Sequence, residues 1–202
     1  MRAFITAIFT VFCVILPGSA HPPGIDESTT PTLAHRTQSK TLWETCGDNA
    51  DLVPLFEVSS PSLTLHYYTI SDVNVTTYIP GDTASFLGVA ALIFPFPEPS
   101  TVPLFSLRNP GTASTYFYTT NATERDQALA SGWQNWTTTG YIYPSQICGS
   151  VPLYRLHFVA ANTDYMYTTS TTVRDNAVVN LGFTYEGITG YVMQLLTGVG
   201  CS

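Results

Sequence analysis

Seven basic residues, 14 acidic ones and four histidines carry most of the titratable chemistry of this 202-residue chain. They form no nucleophile elbow, zinc signature, phosphate loop or paired-carboxylate motif. Multi-residue acid–base constellations are thinly supplied, so the expectation is a protein that is not an enzyme and carries no metal or cofactor. One remote alternative starts at His21. Cleavage after Ala20 would make it the first residue, and with His35, His66 or His157 it could hold copper as in an oxygenase. It heads a Pro-rich tail, Pro22-Pro23-Gly24, which suits that role poorly.

Flat, amphipathic side chains offer a different chemistry. Tyr116, Tyr165 and His66 lie on one predicted strand type, and Trp133 and Trp136 follow a predicted helix. Such rings can stack on sugar faces, while Arg155 and Asp164 could hydrogen-bond hydroxyls and fix orientation. The plainer reading is that these aromatics fill gaps between structural units. Tyr118 and Tyr167 are expected in the core. Arg125-Asp126 and Arg174-Asp175 read as structural, because adjacent helix residues point apart, and Arg174 could instead pair with Glu186.

The units that would position these groups are visible as a repeat. Val53-Pro-Leu-Phe56, Val102-Pro-Leu-Phe105 and Val151-Pro-Leu-Tyr154 recur every 49 residues, a signature of duplicated supersecondary units. A second landmark follows each time, at His66-Tyr-Tyr-Thr69, Tyr116-Phe-Tyr-Thr-Thr120 and Tyr165-Met-Tyr-Thr-Thr169. The later copies close on Gly132-Trp133 with Gly140-Tyr141, and on Gly182-Phe183 with Glu186-Gly-Ile-Thr-Gly-Tyr191. The first copy ends Leu87-Gly-Val-Ala-Ala-Leu-Ile93, lacks the Arg-Asp pair and is interrupted by Pro80-Gly81-Asp82.

Each opening segment alternates. Phe56 and Val58, Phe105 and Leu107, or Tyr154 and Leu156 fall on one face, with Glu57, Ser106 or Arg155 on the other, as in a half-buried strand. The Tyr/Thr landmark is a second strand, joined to the first through polar turn formers such as Asn109-Pro-Gly-Thr112. Asn121 and Ser170 are helix caps, Glu124 completes a near capping box, and Val173, Ala177 and Leu181 share a helical face. Gly132 and Gly182 end the helices, and Ile188–Val192 forms a third strand. The fold expected is α+β and mainly β: three strand-strand-helix-strand units, about 53–94, 102–143 and 151–193, in one compact pseudo-threefold domain spanning 46–202. One unit cannot bury its own apolar face, whereas ~150 residues can bury about two thirds of their unfolded surface.

The second and third copies resemble a repeat family of unknown function from secreted fungal and bacterial proteins. Its units are similar to Pro-Leu-Tyr-Arg-Leu, Asp-His-Phe-Tyr-Thr-Thr-Ser, Glu-Arg-Asp, Leu-Gly-Tyr and Glu-Gly-Ile-Ala-Gly-Tyr-Val, in that order. The resemblance covers 53–193. Its Asp-His stands as Asp164-Tyr165, Thr115-Tyr116 and Leu65-His66, so no copy keeps both residues. Its Glu-Gly becomes Trp136-Thr137 in copy two and Leu87-Gly88 in copy one. Because the family often accompanies cell-wall enzymes in longer chains, the resemblance implies surface or glycan association.

The remaining expectations concern location. Met1–Ala20, with Arg2 ahead of an apolar run and small residues before the cut, reads as a secretory signal peptide, followed by a disordered leader over 21–45. Loss of Arg2 leaves six basic against 14 acidic residues, a balance that disfavours nucleic acid and anionic membrane surfaces. The mature chain is expected to be extracellular, monomeric, not inserted in a membrane, and glycosylated at Asn74, Asn121 and Asn135. Of its three cysteines, Cys46 and Cys201 flank the seam between last and first copies and are the favoured disulfide, with Cys148–Cys201 the alternative. The function expected is a carbohydrate- or cell-wall-binding module, with a secreted protein-interaction or effector scaffold as alternative.

Overall fold

The computed structural model describes residues 45–60, 65–73, 85–110, 115–159 and 163–195. The expected signal peptide, His21, His35, Asn74 and Cys201 lie outside these, as does nearly all of the expected leader. The described chain is mainly β: three similar three-stranded antiparallel sheets and two α-helices. The first sheet contains β1 (Val53–Ser60), β2 (Leu65–Thr69) and β3 (Ser85–Ile93). In the second are β4 (Val102–Arg108), β5 (Tyr116–Thr119) and β6 (Gln134–Ile142), with α1 (Ala122–Ala130) between β5 and β6. The third has β7 (Val151–Phe158), β8 (Asp164–Thr168) and β9 (Thr184–Val192), with α2 (Thr171–Asn180) between β8 and β9.

The opening strand is central in every sheet, giving the orders β2-β1-β3, β5-β4-β6 and β8-β7-β9. The pairing of first to third strand slips at matching places, after Leu55, Leu104 and Leu153 and again two residues later. Each slip leaves one unpaired residue on the third strand, a bulge that re-aims its side chain. Glu186 is such a residue, lying between the Arg155↔Gly187 and Leu156↔Tyr185 pairs.

Short bridges tie each sheet to the other two. Leu92 exchanges backbone hydrogen bonds with Met193 (2.8 and 3.0 Å), Phe94 with Tyr141 (3.1 and 2.8 Å), and Tyr143 with Tyr191 (2.9 and 2.8 Å). Glycine permits the close approach. A Cβ on Gly140 would stand 2.6 Å from Ile93 Cδ1, and one on Gly190 would stand 2.5 Å from Ile142 Cδ1.

Leu55, Leu104 and Leu153 pack with Ile93, Ile142 and Val192 in the shared core. Tyr68, Tyr118 and Tyr167 complete it as a closed cycle. The Tyr118 hydroxyl accepts from Tyr68 N–H (2.9 Å) and donates to Tyr68 C=O (2.8 Å). Tyr167 Oη does the same to Tyr118 (2.8 and 2.8 Å), while Tyr68 Oη accepts from Tyr167 N–H (2.8 Å) and shares its one proton between Glu57 Oε1 (2.8 Å) and Tyr167 C=O (3.1 Å). The rings meet edge to face with centroids 5.4–5.6 Å apart, the favoured arrangement of aromatic quadrupoles. In this way the outward backbone groups at the middle of β2, β5 and β8 are satisfied by phenols instead of by another strand. Burial drives all three phenols well above their ordinary pKa, and they stay protonated donors.

No residue of the opening strands is fully exposed: Leu55, Val58 and Ser60, Leu104, Ser106 and Leu107, and Leu153 and Leu156 are buried and the rest are partly buried. Leu156, Met166 and Ala177 form a second cluster beneath α2. In α2 only Ala177 is buried, while Val173 and Leu181 are exposed. Asn121 caps α1 by accepting from Thr123 and Glu124 N–H, and Ser170 caps α2 by accepting from Val173 N–H. Gly132 (φ +95°) and Gly182 (φ +77°) turn the chain out of each helix. The Glu124 carboxylate does not close a capping box, because it turns to Thr119 and Arg155.

The disulfide joins Cys46 to Cys148, with Cα atoms 5.7 Å apart, which corrects the expected Cys46–Cys201 pair. The segment leading into β1 runs beside the linker from β6 to β7, where Cys148 lies. Gly47 N–H donates to Tyr143 Oη (3.0 Å), and Gly47 lies against the Phe94 ring with no room for a side chain.

Candidate functional site

Arg155 organises a groove between the second and third sheets. It projects from β7 toward the second sheet, where Nη1 and Nη2 donate to Glu124 Oε2 and Oε1 at 3.1 and 2.8 Å, and its plane stacks 5.0 Å from the Phe117 ring. On the other side Arg155 Nε lies 2.8 Å from Glu186 Oε2, and Glu186 Oε1 lies 3.2 Å from His157 Nδ1. The bulge in β9 places Glu186 there, so the Arg174–Glu186 pair does not form. Arg174 instead meets its neighbour Asp175 (2.7 Å) and stacks over Tyr154 (4.6 Å). Arg125 likewise meets Asp126 (2.8 Å) and covers Phe105 (4.4 Å). Adjacent residues at a helix start therefore do pair here, once the arginine is laid flat on the preceding strand's ring.

Burial works against ionisation of Glu124, but the Arg155 and Thr119 hydrogen bonds outweigh it and hold its pKa below the ordinary carboxylate value. Arg155 is also penalised by burial, yet Glu124 and Glu186 more than compensate and keep it protonated.

Around this ion triad lies a groove of about 700 Å³ lined by Thr119, Thr120, Asn121, Gln127, Thr189 and Tyr191. A smaller one of about 270 Å³ shares Glu124, Gln127, Arg155 and Glu186 and is walled by Trp133, Phe117 and Tyr165. The two are one crevice between the second and third sheets. Tyr165 is clamped in the wall, stacked parallel on His157 (4.3 Å) and 5.1 Å from Phe117, with Trp133 6.3 Å away. Burial pushes the Tyr165 phenol up to about 12.

The other sequence-derived residues fall elsewhere. Tyr116 is buried in the core, 4.8 Å from the Tyr67 ring, and is not turned outward. Trp136 meets Tyr116 (6.2 Å) and Arg108 (5.5 Å) on β6, where it is 38% exposed. Asp164 is fully buried and binds His66 twice, accepting from its backbone N–H at 2.8 Å and meeting Nδ1 at 2.6 Å. It is therefore unavailable to a ligand. Burial lowers the His66 pKa, but Asp164 and Glu57 raise it by more, leaving it above 6.5. Asn121 and Asn135 are exposed, and Asn121 lies on the rim of the larger groove.

The sequence reasoning brought Arg155, Tyr165 and Trp133 together and missed Glu124, Gln127 and Glu186. The signal was present in Arg155 itself, a guanidinium on a strand that also carries the core residues Leu153 and Leu156, which calls for carboxylates beside it.

A protein-family model described as a domain of unknown function matches residues 54–193. No curated protein and no solved structure matches the chain.

Proposed function

The chain belongs to that family, DUF5648, whose description assigns no activity, and on the geometry we propose that it is a secreted, non-catalytic module that binds carbohydrate through the crevice between its second and third sheets. One observation carries this reading. A groove of about 700 Å³ presents threonine hydroxyls, carboxamides and the ion triad, and at Glu124, Gln127, Arg155 and Glu186 it adjoins a smaller groove of about 270 Å³ walled by Trp133 and Tyr165, which together supply the flat apolar surface and fixed polar groups that sugars require. The larger groove falls within the range of about 300–1,000 Å³ usual for ligand sites, and the aromatic-walled one lies just below it. Glu124, with its pKa lowered by Arg155 and Thr119, is suited to accepting hydrogen bonds and poorly suited to donating a proton, which supports binding over glycosidic cleavage.

The module is read as three strand-strand-helix-strand copies around a pseudo-threefold axis, the first with a degenerate third landmark. The three matching bulge patterns, the three inter-sheet bridges and the tyrosine cycle support this. A glycan array with chitin and β-glucan pulldowns tests the binding. Wild-type protein is expected to bind and Trp133→Ala to lose at least tenfold in affinity. Absence of binding at millimolar sugar by folded protein overturns it.

Val159 after β7, with Val179 and Leu181 at the end of α2, are exposed apolar side chains and favour a second reading, a protein-interaction scaffold. Crosslinking pulldown from cell-surface extracts tests it, and loss of the captured partner on Val179→Asp would support it.

A further inference from the structure

The charge of the crevice restricts its ligand further, on the premise that it binds sugar at all. Glu124, Glu186 and Arg155 line both grooves, and their linings contain no other Asp, Glu, Lys or Arg. One guanidinium is thus shared by two carboxylates, leaving a surplus negative charge wherever the His157 imidazole beside Glu186 is uncharged. The sharing is unequal. Glu124 takes both Nη donors of Arg155 and the Thr119 hydroxyl. Glu186 meets the Arg155 Nε and His157 Nδ1 only, and it stands on a bulge with its side chain 27% exposed.

We propose that the crevice selects glycans bearing free primary amines, 2-amino-2-deoxy sugars, whose ammonium group pairs with Glu186 while the ring stacks on Trp133. An ammonium brings three donors and no acceptor, which suits a carboxylate whose other partner is shared. A uronate or phosphorylated sugar would face two carboxylates and a chain of net charge −7, and is repelled. An N-acetylated sugar offers an amide N–H but no charge.

Calorimetric titration compares chito-oligosaccharides of one length, fully acetylated and fully deacetylated, with an oligogalacturonate, at neutral pH and low salt. Charge-assisted hydrogen bonds exceed neutral ones enough for about a tenfold preference for the deacetylated chain. That preference should shrink as salt is raised and vanish in Glu186→Gln, whose fold is checked by near-UV circular dichroism. Equal or tighter binding of the acetylated or the acidic oligomer, or a preference insensitive to salt, overturns the proposal and leaves carbohydrate binding standing. If none of the three binds, and the glycan array is also blank, both fall.

Discussion

Replacing Tyr118 by Phe removes one buried oxygen and almost no volume, yet it cuts the tyrosine cycle. That oxygen accepts from Tyr68 N–H at 2.9 Å and donates to Tyr68 C=O at 2.8 Å. Tyr68 is 2% exposed, so water cannot take over either group. Each orphaned buried polar group costs about 1–3 kcal/mol, so the substitution should cost about 2–6 kcal/mol. That is a large share of the ~5–15 kcal/mol that stabilises a typical domain. Urea unfolding of the oxidised protein, followed by tryptophan fluorescence, should show a lower midpoint at unchanged m. Because Tyr167 Oη serves the Tyr118 backbone, Tyr118→Phe and Tyr167→Phe should not add, and a double-mutant cycle should return a coupling of about 0.5–3 kcal/mol. A loss below ~1 kcal/mol for the single variant would show that the hydroxyls are dispensable and the cycle is not what joins the sheets.

Three further outcomes follow from the packing. His66 binds its proton more tightly when folded than its ordinary 6.5, so its contribution is complete below that value and fades as pH rises through the folded pKa. Melting temperature should fall across this window in wild type and be flatter in His66→Gln, and parallel profiles would count against the Asp164 contact. Cys148→Ser opens a loop with a sequence separation of 102 and should cost about 2–5 kcal/mol, read from denaturant midpoints, whereas Cys201→Ser should leave the midpoint unchanged. Gly190→Ala pushes a Cβ to 2.5 Å from Ile142 Cδ1 and should cost about 1–3 kcal/mol by overpacking; a neutral effect would mean that the bridge between β6 and β9 can spread.

Units, strands and caps are legible in the sequence because they depend on local patterns, and Tyr118 and Tyr167 are recognisable as core by their strand chemistry. What depends on a neighbouring sheet is not. Asp164 of the third sheet grips His66 of the first across 98 residues, a contact that neither segment's own sequence displays. Glu57, Ser106 and Arg155 occupy matching positions on the central strands, but only Arg155 builds a charged crevice, since Glu124 stands opposite it on α1. Bulges hide Glu186 in the same way, because a side chain's face cannot be counted by twos through a slipped register. The seam argument for Cys46 and Cys201 failed because the segment before β1 meets the linker between β6 and β7, a contact between distant parts of the chain that no local pattern announces.

The reach of a phenol sets the arithmetic of this architecture. Each ring spans the gap from its own strand to the main chain of the next, and the circuit closes after three steps with every hydroxyl used. A fourth unit could enter only by prising it open and leaving a strand edge bare. Longer chains built of such units should therefore grow by whole triplets, like beads, and a two-unit fragment should borrow its missing third from another molecule.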